Sequence, residues 1–254
     1  MTGYLAFLKK EVLESVRSYR LVLLLVVFLI LGIMNPLTAK LLPVLMENFM
    51  PDGMTLEMSE PVAMDSWMQF YKNVPQMGLA VVLILFSGIL SREYAKSTLI
   101  ILLTRGLSRA SVILSKFTTA VLLWTVSFLL CFAASWAYTA YYWSDGGVEN
   151  ILFAAFCLWV FGLLLISLLM LGGAMLKSTY GNLLFAAGFI AVLFLVNMFP
   201  KAQEYSPLAL ASDNLQLLTG ELTPADMIPA LAIAATLLVL FLTGALLIFR
   251  KRTL

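Results

Sequence analysis

Histidine is absent from this 254-residue chain, and only 12% of the residues are charged. Without histidine, the chain lacks the most common proton shuttle, general base and zinc ligand. Soluble domains carry about 25% charged residues, so the small charged fraction argues against a soluble fold. With 62% hydrophobic residues and a mean hydropathy of +0.98, the sequence predicts an integral membrane protein.

Two further absences narrow the function. No GxxxxGK[ST] sequence occurs, so the chain has no loop of that kind to hold nucleotide phosphates. If ATP drives this protein, a separate subunit must bind ATP and Mg, and we expect no cofactor in this chain. The two cysteines, Cys131 and Cys157, fall in apolar segments, where a thiol behaves as a small hydrophobic group. We therefore expect neither an extracellular disulfide nor a metal site.

Six apolar segments have about the length that crosses a bilayer, which takes about 20 helical residues. We predict an all-α membrane protein with one transmembrane domain over residues 1–254. The predicted spans are residues 21–42, 74–90, 117–140, 151–176, 183–199 and 228–249. The Asn35-Pro36 pair predicts a kink or an early end in the first span, because proline removes a helical hydrogen bond.

Residues 1–20 are predicted to form an amphipathic helix at the membrane surface. One apolar stripe recurs at intervals of three or four residues: Leu5, Leu8, Val12, Val16 and Tyr19. Lysines and arginines lie largely off this stripe, where they can reach lipid head groups. A simple membrane anchor and a contact with an ATPase partner are both consistent with this pattern.

Two long connections are predicted between spans, at about residues 43–73 and 200–227. The first carries six methionines, Met46, Met50, Met54, Met58, Met64 and Met68. Thioethers can bind Cu(I), but an adaptable apolar surface that meets lipid or cargo is the better interpretation, since methionine repacks easily. In the second connection, residues 207–218 could form a short amphipathic helix.

Charge asymmetry predicts the orientation. If both termini are cytoplasmic, thirteen of the sixteen Lys and Arg residues lie inside, and only Lys40, Lys72 and Lys201 lie outside. Eleven of the fourteen acidic residues then lie outside. By the positive-inside rule, we expect both termini and the 92–116 connection in the cytoplasm.

The 92–116 connection combines positive charge with a short apolar core. Five basic residues, Arg92, Lys96, Arg105, Arg109 and Lys116, surround the apolar run Leu99–Leu103. Five apolar residues are too few to cross a bilayer, so a helix here must be covered by head groups or by another protein. An interfacial helix that only positions its neighbours remains an alternative.

The order of residues in this connection resembles the cytoplasmic loop of ABC-2-type permeases, the membrane subunits of a class of ATP-driven exporters. The matching residues are Glu93, Ser97-Thr98-Leu99, Leu102-Leu103, Gly106, Ser108-Arg109 and Lys116. Family members commonly carry Gly-Thr in place of Ser97-Thr98 and proline in place of Gly106.

The resemblance implies a mechanism and partners. It implies a coupling helix at Leu99–Leu103 that seats on an ABC ATPase subunit, and Glu93 and Arg109 that anchor the loop by charge pairing. The implied coupling residues are Glu93, Thr98, Leu99, Leu102, Leu103, Gly106, Arg109 and Lys116. It further implies a second permease copy or paralogue (a homodimer foremost), re-entrant helices between spans five and six, and the bacterial plasma membrane. Nucleic acid is not an expected partner, and the chain itself is not expected to be an enzyme.

The predicted spans carry no Asp, Glu, Lys or Arg near their middles, which argues against an ion-coupled transporter. Asn35 and Asn197 either hydrogen-bond to neighbouring helices or line a translocation path. An apolar path without charge suits amphipathic peptides, lipid-linked molecules or hydrophobic drugs. The chain's length and short loops resemble those of antimicrobial-peptide and peptide-toxin exporters in the family, and this resemblance ranks a peptide first. A membrane scaffold that recruits a cytoplasmic partner without transport also remains open.

Overall fold

The computed structural model describes residues 2–49, 60–91, 93, 108–144 and 147–251. These residues form helices and connecting turns, without a strand. The long helices are α1 (Thr2–Arg17), α2 (Arg20–Phe49), α3 (Ala63–Asn73), α4 (Leu79–Ser87), α5 (Arg109–Tyr142), α6 (Ile151–Met175), α7 (Thr179–Asn197) and α11 (Ile228–Lys251). Three short helices precede α11: α8 (Pro200–Gln203), α9 (Ala209–Ser212) and α10 (Asn214–Thr219).

Among the described residues, six helical runs are long and apolar enough to cross a membrane. They are Arg20–Pro43, Ala63–Ser87, Arg109–Tyr142, Ile151–Met175, Thr179–Asn197 and Ile228–Lys251. The predicted all-α fold with six candidate spans is therefore confirmed. The central helix is α6, because 67% of its apolar window is buried inside the chain.

The second span begins much earlier than the predicted start at Val74. α3 continues through a five-residue π turn, Val74–Gly78, into α4, so that one helical run extends from Ala63 to Ser87. Its first half is amphipathic: Trp67 and Phe70 are buried, while Lys72 is exposed. Polar residues on one face therefore interrupt the apolar run in the sequence without interrupting the helix.

α2 does not end at Asn35-Pro36, where the sequence predicts a kink or an early end. Pro36 has no N–H, so it cannot bond to the carbonyl of Gly32 one turn earlier. The Ser135 hydroxyl of α5 donates to that carbonyl instead, at 2.8 Å. A Cβ atom at Gly32 would lie 2.7 Å from the Cys131 carbonyl oxygen, so glycine is what permits this close approach of α2 and α5.

The molecule has two distinct ends. The terminal end comprises α1, residues 87–91, Glu93, the first two turns of α5 and the last turn of α11. There Asn182 joins three spans, since its side-chain NH₂ donates to the carbonyls of Ser87 (2.7 Å) and Leu169 (3.1 Å). The far end comprises residues 60–72, 139–144, 147–151 and 197–227. There the Tyr71 hydroxyl donates to the Ile151 carbonyl at 2.9 Å.

Where a helix was predicted over residues 207–218, the structure has two short helices, α9 and α10. Leu210 and Leu217 are fully buried, and both helices pack against α6. The Asn150 side chain donates to the Leu217 carbonyl at 3.3 Å, which holds α10 over the start of α6.

α1 packs against the bundle through Phe7, Glu11 and Ser15 rather than through its apolar stripe. The stripe residues Leu5, Val16 and Tyr19 are exposed. The face of α1 that is buried within the chain therefore carries a carboxylate, and an apolar side is left facing outward.

Candidate functional site

A buried cluster of charges lies at the terminal end, where α1, residue 93 and α5 meet. The Lys116 ammonium lies 2.9 Å from Glu11 Oε2 and 3.0 Å from Glu93 Oε1. Lys116 is 3% exposed, and Glu11 and Glu93 are each 5% exposed. One lysine, two turns into α5, thus joins the N-terminal helix to the residue that follows the second span.

A second lysine closes the cluster on its outer side. Lys10 Nζ lies 3.0 Å from Glu11 Oε1, 2.6 Å from Glu14 Oε2 and 3.6 Å from Glu93 Oε1. Partial burial by itself would lower the pKa of Lys10, but the hydrogen bonds to Glu14 and Glu11 outweigh it and raise that pKa. Burial would likewise raise the pKa of Glu14, and the hydrogen bond from Lys10 more than offsets it, so the Glu14 pKa is lowered.

The three carboxylates, Glu11, Glu14 and Glu93, come within 4.8 Å of one another, close enough to share a cation. The ammonium groups of Lys10 and Lys116 already serve as that cation. We therefore assign the cluster to charge pairing and not to a metal.

The cluster is sensitive to the loss of a single member. Charges removed from water are tolerated only when they are paired and hydrogen-bonded. Loss of Lys116 would leave the buried carboxylates of Glu11 and Glu93 with Lys10, on the outer side, as their remaining counter-charge in the cluster. The arrangement therefore couples α1, the end of the second span and the start of the third.

Arg109 lies in the first turn of α5. Its guanidinium Nη1 donates to the carbonyls of Phe249 and Arg250, both at 3.1 Å. The last carbonyls of a helix lack partners within the helix and attract positive charge. Arg109 thus binds the carboxyl end of α11. Just before it, the Ser108 hydroxyl caps α5 by accepting from the Ser111 N–H at 3.1 Å.

The centre of the predicted coupling segment lies outside the described residues. This applies to Thr98, Leu99, Leu102, Leu103 and Gly106, so their predicted contact with an ATPase stays a prediction. The structure describes the two ends of the connection: it brings Glu93 and Lys116 together, and it places Arg109 on α11.

The two asparagines predicted as lining a path lie apart. Asn35 is fully buried, and its side-chain oxygen accepts a hydrogen bond from Asn73 at 2.9 Å. Asn197 is half-buried at the end of α7. A cavity of about 790 Å³ lies between the second span, α6 and α7, and neither asparagine is among the described residues that line it. Their role in translocation stays a prediction.

The cavity of about 790 Å³ opens between the second span, α6, α7 and the short helices of the far end. Its polar lining includes Gln69, Lys72 and Gln76, and its apolar lining includes Leu79, Leu83, Phe161, Leu165, Ile190 and Phe194. The sequence signal for this polar wall is the helical spacing of Gln69, Lys72 and Gln76. The predicted boundary at residues 73 and 74 divides these three positions between a connection and a span, so the sequence analysis does not group them.

Comparison with known proteins identifies the family. The chain matches the model of the family described as ABC-2 family transporter protein over residues 5–253. A relative in Bacillus subtilis strain 168, the "uncharacterized transmembrane protein YxlG", is 24% identical over 214 residues, which cover 82% of this chain and 81% of that protein. In this family, nucleotide binding belongs to a partner ATPase. Since the match spans nearly the whole chain, this protein belongs to the ABC-2 transporter family and is a multi-pass permease subunit of an ABC transporter.

Proposed function

We propose that this chain is the permease of an exporter in which the 92–116 connection receives the motion of a cytoplasmic ATPase. One observation carries the proposal: Glu93, at the start of the connection, and Lys116, at its end, are joined to each other and to Glu11 by buried ion pairs. A displacement of the connection would therefore move α1 and the adjoining ends of two spans together.

The proposed coupling element is the apolar run Leu99–Leu103, seated in a groove of the ATPase, with Thr98 and Gly106 at its borders. When ATP closes the ATPase dimer, the connection is displaced and the spans rock toward an outward-open state. Nucleotide thus shifts the populations of two conformations and need not break any bond in the cargo.

The proposed orientation places both termini in the cytoplasm of a bacterial cell. It is supported by the position of the basic side chains, since Lys10, Arg109, Lys116 and Arg250 all lie at the terminal end. Lys40, which lies over the Tyr142 ring, belongs to the opposite side. Basic residues favour the cytoplasmic side of a membrane.

A pair of permeases, foremost a homodimer, is proposed to enclose the translocation path. The support comes from α7, of whose apolar window only 17% is buried within the chain. Leu184, Phe194 and Leu195 are 60–73% exposed, and they offer an apolar surface to lipid or to a second copy. The proposed cargo is hydrophobic or amphipathic, with a peptide ranked first and lipid-linked molecules or drugs next.

The test is co-purification with the ATPase. The double substitution Leu102→Asp and Leu103→Asp should abolish ATPase association while membrane insertion continues, because the charges cannot enter an apolar groove. The matched control, Met198→Asp with Phe199→Asp, changes two exposed apolar residues at the far end and should leave association intact. If the Leu102/Leu103 variant still binds the ATPase, the coupling assignment is wrong.

A scaffold that recruits the ATPase without transporting anything is separated from an exporter by a second measurement. An exporter predicts that the ATPase rate depends on the permease and responds to cargo. A scaffold predicts the same co-purification with no such response.

A further inference from the structure

Lys72 is a charged residue inside a helix that is suited to cross the membrane. It lies nine residues from the start of the Ala63–Ser87 run, close to the level at which α6 begins, since the hydroxyl of the neighbouring Tyr71 donates to the Ile151 carbonyl. Its side chain is exposed, and it takes part in none of the ion pairs among the described residues. A lysine that makes no ion pair among the described residues has its three N–H donors available for a ligand.

Two amide side chains accompany Lys72. Gln69 precedes it by three residues and Gln76 follows it by four, so the three lie on one face of the helix. All three line the 790 Å³ cavity. They provide an ammonium group and two amide groups, which together can donate several hydrogen bonds to an anionic oxygen.

Apart from the hydroxyl side chains Tyr71 and Ser212, the remaining lining of the cavity is apolar. Leu79 and Leu83 continue the same wall toward the terminal end, Phe161 and Leu165 come from α6, and Ile190 and Phe194 come from α7. Binding sites for small molecules typically enclose about 300–1,000 Å³, with mostly apolar walls and a few polar groups. The cavity has a volume in this range and the same combination of mostly apolar walls with a few polar groups.

The helix is also irregular at this point. The π turn Val74–Gly78 contains Pro75 and lies between Lys72 and Leu79. Single π turns inside α-helices occur frequently at functional sites. Here the turn itself carries Gln76 and lies between Lys72 and the apolar residues Leu79 and Leu83.

We propose that this cavity binds an amphiphile with one hydrocarbon chain and one anionic head group. The head group would pair with Lys72 and accept from Gln69 and Gln76, and the chain would lie against Leu79, Leu83 and Phe161. No described residue that lines the cavity is acidic, so a cationic head group would find no carboxylate in the lining. Asp213 follows the lining residue Ser212 in sequence, and its carboxylate accepts a hydrogen bond from the Ser212 hydroxyl at 2.5 Å.

Binding alone is tested on the purified, delipidated chain in a neutral detergent, with palmitate and hexadecanol as probes of equal chain length. Native mass spectrometry counts the bound molecules. The wild type should hold palmitate at least about tenfold more tightly than hexadecanol, because a hydrogen bond to a charged group contributes about 1.5–3 kcal/mol.

Variants locate the site. Lys72→Met should remove the preference for palmitate, and Lys72→Arg should keep it. Lys201→Met, at the same end of the molecule and exposed, should change nothing. Ala80→Trp, which fills the cavity, should weaken both probes. The proposal is overturned if the wild type does not distinguish the probes, or if Lys72→Met binds palmitate as the wild type does.

The further assignment of the bound amphiphile as the cargo rests on the proposed function. It is tested by a separate measurement. In the complex with its ATPase, palmitate should raise the ATPase rate of the wild type but not of the Lys72→Met variant. An unchanged rate with intact binding would overturn the cargo assignment. Displacement of hexadecanol by an uncharged amphipathic peptide, without any preference for palmitate, would identify a peptide site and overturn the anionic head group.

Discussion

Two lysines at opposite ends of this permease have opposite surroundings. Lys116, at the terminal end, is 3% exposed and lies within 3.0 Å of two buried carboxylates. Lys72, toward the far end, is exposed, borders an apolar cavity and makes none of the described ion pairs. Both residues are lysines, but Lys116 is paired with carboxylates, whereas Lys72 has no such pair among the described residues.

The difference assigns different roles to the two ends. A buried and fully paired charge holds its neighbours in one arrangement, and its loss is costly. A charge that makes no ion pair among the described residues and borders an apolar cavity has its hydrogen-bonding capacity available for a ligand. The difference supports the two proposals, coupled motion of the terminal end and ligand binding at the far end.

The largest expected effect comes from Lys116→Met. It leaves Glu11 and Glu93 buried without a full counter-charge, and breaking such a pair costs about 3–5 kcal/mol. We expect a strongly lowered thermal unfolding temperature of the purified chain. Combining Lys116→Met with Glu11→Gln and Glu93→Gln should recover part of the loss. Lys177→Met, at an exposed turn, is the matched control, and equal stability of the wild type and Lys116→Met would refute the structural role.

A smaller effect is expected for Arg109→Gln. The substitution removes the charge that binds the Phe249 and Arg250 carbonyls, an interaction that contributes about 1 kcal/mol at a helix end. Amide hydrogen exchange should accelerate in the last turn of α11, with little change in α6. Unchanged exchange there would mean that the two contacts contribute nothing to the helix end.

A still smaller effect is expected from pH, acting through the outer part of the cluster. The pKa of Glu14 is lowered from 4.5, so its stabilising contribution is present above pH 4.5 and is lost as the pH falls through the lowered value. The pKa of Lys10 is raised from 10.5, so its contribution is complete below pH 10.5 and is lost at higher pH.

A spin label at Leu13→Cys, on the exposed side of α1, should therefore become more mobile below pH 4.5, and added salt should weaken the effect because the outer charges are screened. Glu14→Gln should remove that part of the response, whereas Lys9→Met, an exposed neighbour, should retain it. A label whose mobility is independent of pH would contradict a role of Glu14 in docking α1.

The smallest effect on stability is expected at Lys72. Lys72→Met should change the free energy of unfolding by no more than about 0.5 kcal/mol, because exposed substitutions away from packed contacts usually do no more. The contrast with Lys116→Met is measured in the same thermal unfolding series. A large loss of stability in Lys72→Met would mean that Lys72, like Lys116, stabilises the fold, and the contrast between the two lysines would be wrong.

Much of the fold could be predicted from the sequence because the bilayer constrains it strongly. A membrane span must satisfy its own backbone and present about 20 apolar residues, so five of the six spans stand out as apolar runs. The second span did not stand out over its full length. Most polar residues of α3, including Lys72, lie on its more exposed side and lower the mean hydropathy of the segment. Only the burial of Trp67 and Phe70 on the other side shows that the span already begins in α3.

The candidate site was predictable in part. Glu93, Arg109 and Lys116 could be selected from their order along the chain, but their partners could not. Glu11 is separated from Lys116 by about a hundred residues, and Arg109 binds backbone carbonyls, which have no signature in the sequence. Similarly, the hydroxyl of Ser135 replaces the bond that Pro36 removes, so α2 continues where the local sequence predicts an interruption.

The sequence by itself determined the membrane location of the chain, its helical class and the family to which it belongs, because these depend on composition, on the length of apolar runs and on local motifs. Only the tertiary structure decided which charges are paired. Pairing depends on distances between side chains far apart along the chain, and those distances exist only after the helices have packed. The roles proposed for Lys116 and Lys72 rest on that difference.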